Sequence, residues 1–227
     1  MQKEKTGSVP TVFVVDDEES VRHSLTWLLN SISLKVESYD SAQAFLDANV
    51  SCTFGCLILD VRMQSTSGLQ LQQALNERGF KLPIIFLSAY GDAQMGAHAI
   101  KNGAIDFLQK PYRNQDLVDA VNAALALSKE MTGKQNEKQK QLELLNTLSQ
   151  REMEILDQVV SGQSSKEIAK VLGISHKTVE AHRGRLISKL GLKSTSDLIH
   201  FSMRNSSNCR DCERLSRPGT TSCKSAH

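Results

Sequence analysis

Thr11-Val12-Phe13-Val14-Val15-Asp16-Asp17-Glu18-Glu19 is an apolar run that breaks abruptly into four acids. A short, near-continuous run of β-branched and aromatic residues reads as a strand buried on both faces, as in a parallel sheet. Four further candidates follow at Val36–Tyr39, Cys56–Leu59, Ile84–Leu87 and Ala104–Leu108. Helical patterns lie between them: Val21, Leu25, Leu28, Leu29 and Ile32 share one face, as do Leu71, Ala74 and Leu75. Asp40 or Ser41 is placed to cap a short helix over Ala42–Ala48, and a last helix spans Asn114–Ala126. Five βα alternations predict a doubly wound α/β domain with a five-stranded parallel sheet.

The chain has 227 residues and a formal charge of +2, unevenly spread. Residues 1–128 hold 10 Lys/Arg against 14 Asp/Glu, whereas residues 129–227 hold 17 against 11. An acidic front and a basic back predict two tasks, the second near a polyanion. The longest apolar runs are far shorter than the ~20 residues of a membrane span. The start, MQKEKTGSVP, lacks the apolar core of a secretory signal, so a cytoplasmic protein without membrane contact is expected. Its five cysteines (Cys52, Cys56, Cys209, Cys212 and Cys223) then read as reduced thiols, with the first two inert near strand three.

In a doubly wound sheet the ligand crevice lies outside the C-terminal strand ends. Strand one ends in Asp16-Asp17 and strand three in Asp60. If these strands are neighbours, three carboxylates converge and repel, which a hard oxygen-liganded Mg²⁺ would resolve. Ser88 closes strand four, and Lys110-Pro111 follows strand five. A carboxylate nucleophile, a metal held by two others, an ammonium and a hydroxyl make up a phosphoryl-transfer site. Singly, each piece has an ordinary explanation as a helix cap or turn; together, in strand order, they predict function.

FVVDDEESVR, LILDVRM, FLSAYGD and GAIDFLQKP resemble the receiver domain of two-component response regulators over residues 10–126. That resemblance implies a flavodoxin-like strand order and Asp60 as phosphoacceptor. It implies Mg²⁺ bound by Asp16, Asp17, Asp60 and the main-chain carbonyl of Arg62. Lys110 would contact the phosphoryl oxygens, Ser88 and Phe107 would form a switch pair, and the bond before Pro111 would be cis. One departure stands out: where the family often has Met-Pro-Gly-x-Ser-Gly, this chain has Met63-Gln64-Ser65-Thr66-Ser67-Gly68. Loss of the proline loosens that loop entropically without touching a chemical group.

Residues 128–145 read as a polar linker, helical in part, and residues 205–227 as a disordered, Cys-containing tail. Between them, over residues 146–204, Ser149-x-x-Glu152 and Ser164-x-x-Glu167 fit the capping box, and Gly173-Ile174-Ser175 makes a tight turn before a helix over His176–Leu190. This is the layout of a helix-turn-helix. Val179, Leu186, Ile187 and Leu190 form its inner stripe, with Arg183 beside them in a structural role. The other side offers Lys177, Thr178, Glu180, Ala181, His182, Gly184, Arg185 and Lys189 to DNA. Glu180 either accepts from a cytosine amino group or pairs with a nearby lysine.

LSQREMEIL, GQSSKEIAKVLGIS and KTVEAHRGRLISKLGLKS resemble the LuxR-type helix-turn-helix, an all-α four-helix domain whose fourth helix, about Thr195–Met203, serves dimerisation. Receiver plus this domain is similar to the FixJ-like branch, and FLQKP resembles tetrathionate-response regulators within it. The resemblance implies a transcription regulator rather than an enzyme, with a sensor histidine kinase, double-stranded DNA and RNA polymerase as partners. Phosphorylation of Asp60 would promote a homodimer. Two rival readings are an Mg²⁺-dependent aspartyl-phosphate phosphohydrolase and control by cysteine redox or zinc. The first meets arginine in Asp60-Val61-Arg62, where the haloacid-dehalogenase pattern needs a second aspartate. The second rests on the spacing Cys209, Cys212, Cys223 and His227.

Overall fold

A computed structural model describes residues 9–50, 54–64, 66–89, 93–194, 196–198 and 200–201. Five strands, β1 (Thr11–Val15), β2 (Lys35–Tyr39), β3 (Gly55–Asp60), β4 (Ile84–Ser88) and β5 (Asp106–Gln109), form one sheet in the order β2-β1-β3-β4-β5. Every neighbouring pair is parallel. Helices α1 (Glu19–Ser31), α2 (Ala42–Asp47), α3 (Gly68–Glu77), α4 (Ala93–Lys101) and α5 (Asn114–Asn146) connect or follow them. This is the doubly wound fold with flavodoxin-like order.

Strand alternation divides the apolar side chains between two faces. Phe13, Val15, Leu57, Leu59, Ile84 and Phe86 pack with Phe45, Leu71, Leu75 and Ala99 from α2, α3 and α4. Val12, Val14, Cys56, Ile58, Ile85 and Leu87 pack with Leu25 and Leu29 of α1 and Leu117, Val121 and Ala124 of α5. Burying each such Leu, Ile or Phe contributes roughly 1.5–3 kcal/mol. Cys56 is wholly enclosed, and burial pushes its thiol up to about 12, which makes it inert; Cys52 and the tail cysteines lie outside the described residues.

Two boundaries differ from the sequence reading by more than one residue. β5 begins at Asp106 rather than Ala104, because the Ala104 amide closes the end of α4 on the Ala99 carbonyl. The helix expected to stop at Ala126 continues to Asn146 through the polar stretch. Gly133 costs such a helix about 1 kcal/mol, which flanking good helix formers and the Glu130–Lys134 pair offset. Ser128 is buried, and its hydroxyl accepts from the Gly55 amide at 3.0 Å, so it packs with the α/β body.

The chain divides into two compact units, residues 1–137 and 138–227. In the second, α6 (Gln150–Val160), α7 (Ser165–Leu172) and α8 (His176–Lys189) enclose Ile155, Leu156, Val159, Ile168, Val179, Leu186 and Leu190. Leu198 and Phe201 join this core from helical residues 196–198 and 200–201; the rest of the expected fourth helix lies outside the described residues. Capping boxes at Ser149/Glu152 and Ser164/Glu167 start α6 and α7, and Gly173 in the left-handed region (φ 65°) ends α7. No helix among the described residues is long and apolar enough to cross a membrane.

Gly55 is forced by the close approach of β1: a Cβ there would lie 2.1 Å from the Thr11 carbonyl oxygen. Gly55→Ala is expected to destabilise the first unit by about 2–3 kcal/mol in urea unfolding. A loss below about 0.5 kcal/mol would mean that the β1–β3 pairing does not require glycine.

Candidate functional site

Each residue at the C-terminal edge of the sheet is positioned by a final backbone bond to a neighbouring strand. The Asp16 amide donates to Tyr39 O at 3.3 Å, Val61, just after Asp60, to Leu87 O at 2.9 Å, and Lys110 to Ser88 O at 2.7 Å. The peptide bond between Lys110 and Pro111 is cis. Asp16 and Ser88 are each 1% exposed and Asp60 is 6% exposed, so two carboxylates are enclosed together.

Lys110 holds them. Its Nζ donates to Asp60 Oδ1 at 2.7 Å and to Asp16 Oδ2 at 2.9 Å. Asp60 Oδ2 accepts from the Arg62 amide at 2.7 Å and Asp16 Oδ1 from the Glu18 amide at 2.9 Å. Burial lowers the pKa of Lys110, but hydrogen bonds to Asp60 and Asp16 outweigh it and hold the ammonium above its ordinary range. Burial raises the Asp60 carboxyl above the usual carboxylate range, against the pull of Lys110.

Of the three carboxylates expected at this edge, Asp16 and Asp60 share Lys110. Asp17 instead turns its Oδ2 to the Gln64 amide at 3.0 Å. Among the described residues, no three His, Cys, Asp or Glu side chains stand together so as to hold a metal. Here it is the lysine that offsets the charge of the buried pair. Each bridged oxygen keeps a further lone pair, and carboxylate oxygens are the hard donors that suit Mg²⁺.

Phe107, half-buried, packs 6.5 Å from the Phe86 ring centroid. Helix α4 sits on it at Gly96, where a Cβ would come within 3.3 Å of the ring. Gln72 of α3, itself buried, donates to the Ala99 and Asn102 carbonyls at the end of α4. Gly68 belongs to the site as well, since a Cβ there would meet the Asp60 carbonyl at 2.2 Å. None of Gly68, Gly96 or Gln72 was singled out from sequence. For Gly68 the signal was present in the Ser67/Gln70 capping box that starts α3 beside it.

On α8, Lys177, Thr178, Glu180, Ala181, Gly184, Arg185 and Lys189 are exposed, while Val179, Leu186 and Leu190 face the core. Thr178 Oγ1 bonds the capping Ser175 hydroxyl at 2.7 Å. His182 is half-buried, with Nδ1 enclosed and without a hydrogen-bond partner. Lys189 donates to Glu152 Oε2 at 2.7 Å within the domain. Glu180 lies 4.0 Å from Arg183 and 3.9 Å from His176, and among the described residues no lysine forms an ion pair with it. Arg183 donates to the Ser165 hydroxyl on α7, a structural contact.

Residues 12–122 match the response regulator receiver domain family, and residues 146–202 match the bacterial regulatory proteins of the luxR family. The chain is 76% identical over 226 residues to the transcriptional regulatory protein TdiR of Thauera aromatica, covering 100% of both chains. It is 39% identical over 192 residues to the transcriptional regulatory protein FixJ of Azorhizobium caulinodans, covering 85% of this chain and 91% of that one. The solved response regulator StyR superimposes with a TM-score of 0.80 at 39% identity, covering 87% of this chain and 100% of that one.

Glu152 ties the start of α6 to the end of α8, and its pairing with Lys189 and the Ser149 amide holds its carboxyl at about 2, against an ordinary 4.5. A depressed carboxyl stabilises the fold fully above the ordinary value, and that contribution disappears as pH falls from there to about 2. Thermal unfolding followed between pH 5 and pH 2 is therefore expected to lose less stability in Glu152→Gln than in wild type. Parallel pH profiles would remove Glu152 from the account.

Proposed function

The chain belongs to the FixJ-like response regulators, with a receiver domain and a luxR-type DNA-binding domain, and from that premise we propose that Asp60 is the phosphoacceptor controlling its DNA binding. It is a two-component transcription regulator. The observation that carries the proposal is the Lys110 ammonium bridging Asp60 and Asp16 at the sheet edge.

A carboxylate oxygen of Asp60 attacks phosphorus in line; the O–P bond forms as the bond to the kinase histidine breaks, and the imidazole leaves. Lys110 contacts the transferred oxygens. Asp16, Asp17, Asp60 and the Arg62 carbonyl would hold Mg²⁺, which supplies charge neutralisation of the phosphoryl oxygens. Ser88, at the end of β4, and Phe107, on β5, form the switch pair. The seating of α4 on Phe107 at Gly96 supports coupling of the pair to the α4 surface. The receiver accelerates only its own phosphorylation and dephosphorylation.

Phosphorylation biases an existing equilibrium toward a homodimer, so two tethered α8 helices gain avidity for a two-fold-related site. Lys177 and Arg185 contact phosphate or guanine, and Ala181 and Gly184 let the helix backbone approach the groove floor. Thr178, Glu180 and the half-buried His182 line the same approach, while Lys189 acts first through Glu152. The residue spans 10–127, 146–204 and 205–227 serve as receiver, DNA-binding domain and tail. Residues 128–145 connect the first two in helical form. The chain acts in the cytoplasm with a sensor histidine kinase, and with RNA polymerase at its promoters.

Two measurements test this. With acetyl phosphate and Mg²⁺, intact mass should show one acid-stable, base-labile phosphoryl adduct on wild type and none on Asp60→Asn. Operator binding by Asp60→Asn that equals phosphorylated wild type would refute the coupling. Arg185→Ala should weaken operator binding by about 1–3 kcal/mol. Lys177→Ala should weaken all sequences alike and lower the salt slope by about 1. Unchanged binding in both would remove this helix face as the interface.

A further inference from the structure

The loop after β3 carries a hydrogen bond that a proline could not make. Gln64 stands where the receiver pattern often has proline, and its main-chain amide donates to Asp17 Oδ2 at 3.0 Å. Described residues on either side of this amide are held in place. The Arg62 amide is held on Asp60 Oδ2 at 2.7 Å, the Gly68 amide on Val61 O at 2.9 Å, and Ser67 is locked with Gln70 in a capping box. Gln64 is therefore not a dangling residue that happens to meet a carboxylate.

Asp16 and Asp60 are drawn together by Lys110, while Asp17 is drawn to Gln64. In keeping with this, no three acidic side chains among the described residues stand together as a metal site.

We propose that the Gln64 amide is a clasp that holds Asp17 on the loop after β3, and that drawing Asp17 in beside Asp16 and Asp60 around Mg²⁺ opens it. This rests on the reading of these residues as the Mg²⁺ ligands. The clasp stabilises the metal-free receiver and so lowers its Mg²⁺ affinity relative to the same chain with proline at this position. It is a property of the main chain, not of the glutamine side chain: any residue with an N–H serves, and proline alone abolishes it. Gln64 is a positioning residue that acts through Asp17, and it makes phosphorylation of this chain more dependent on free Mg²⁺.

The test is Mg²⁺ titration by calorimetry of the full chain, without phosphodonor, for wild type, Gln64→Ala and Gln64→Pro. Gln64→Ala, which keeps the amide, should match wild type within about twofold, and Gln64→Pro should bind about fivefold to tenfold more tightly. Amide exchange of wild type, read by NMR, separates the clasp from proline's stiffening of the loop and does not require the variant to fold. The Gln64 amide should be protected without metal and lose that protection at saturating Mg²⁺. Equal affinity in a folded Gln64→Pro, or an amide that stays protected with Mg²⁺ bound, would overturn the clasp and leave the ligand assignment standing. No Mg²⁺ binding by any of the three folded proteins would overturn both.

Discussion

Two carboxylates enclosed at one sheet edge repel one another, and burial penalises the charge on each. Lys110 resolves this by placing one ammonium within 2.9 Å of both. The solution depends on strand order. Lys110 follows β5, two strands from β3, a lateral distance of about 10 Å, and only a long unbranched stem closes it. With β1 beside β3, Asp16 is within reach of the same ammonium. The parallel sheet, its apolar filling on both faces and the backbone bond that fixes each strand end are the means by which these three side chains meet.

The region beyond Lys110 is held differently. Helix α4 rests on Phe107 at Gly96 and is tethered at its far end by Gln72, whose Oε1 stays buried without a partner. A buried amide that satisfies two carbonyls and leaves its own oxygen unpaired forgoes part of what full pairing would contribute. The core face of α4 among the described residues is thin, with Ala99 its fully enclosed side chain. A lightly held helix over a half-buried aromatic ring contrasts with β1, β3 and β4, whose residues are nearly all enclosed.

The strands were legible because burial on both faces leaves unbroken apolar runs, and the helix-turn-helix because capping boxes and a left-handed glycine are local chemistry. Several features were not. The Ala104 turn reads as strand because its side chain is apolar and buried in the core, while its main-chain amide closes α4. The continuation of α5 beyond Ala126 runs against its composition, since a polar stretch with glycine reads as linker. The site residues were individually visible at strand ends, but their pairing was not: like charges in sequence suggested a cation, and nothing in the sequence distinguished Lys110 from Mg²⁺ as its first source. Hydrogen bonds made by main-chain amides, such as those of Arg62 and Gln64, mark the sequence only by excluding proline.

The exposed face of α8 shares no residue with the core beneath it. Val179, Leu186 and Leu190 hold the helix, and Arg183 with Ser165 and Lys189 with Glu152 fix its pitch. Lys177, Ala181, Gly184 and Arg185 do neither. Substitutions on such a surface typically change stability by less than about 0.5 kcal/mol. A duplicated copy of this gene can therefore exchange those side chains one at a time, each intermediate still folded, so this face is free to diverge while the core beneath it stays fixed.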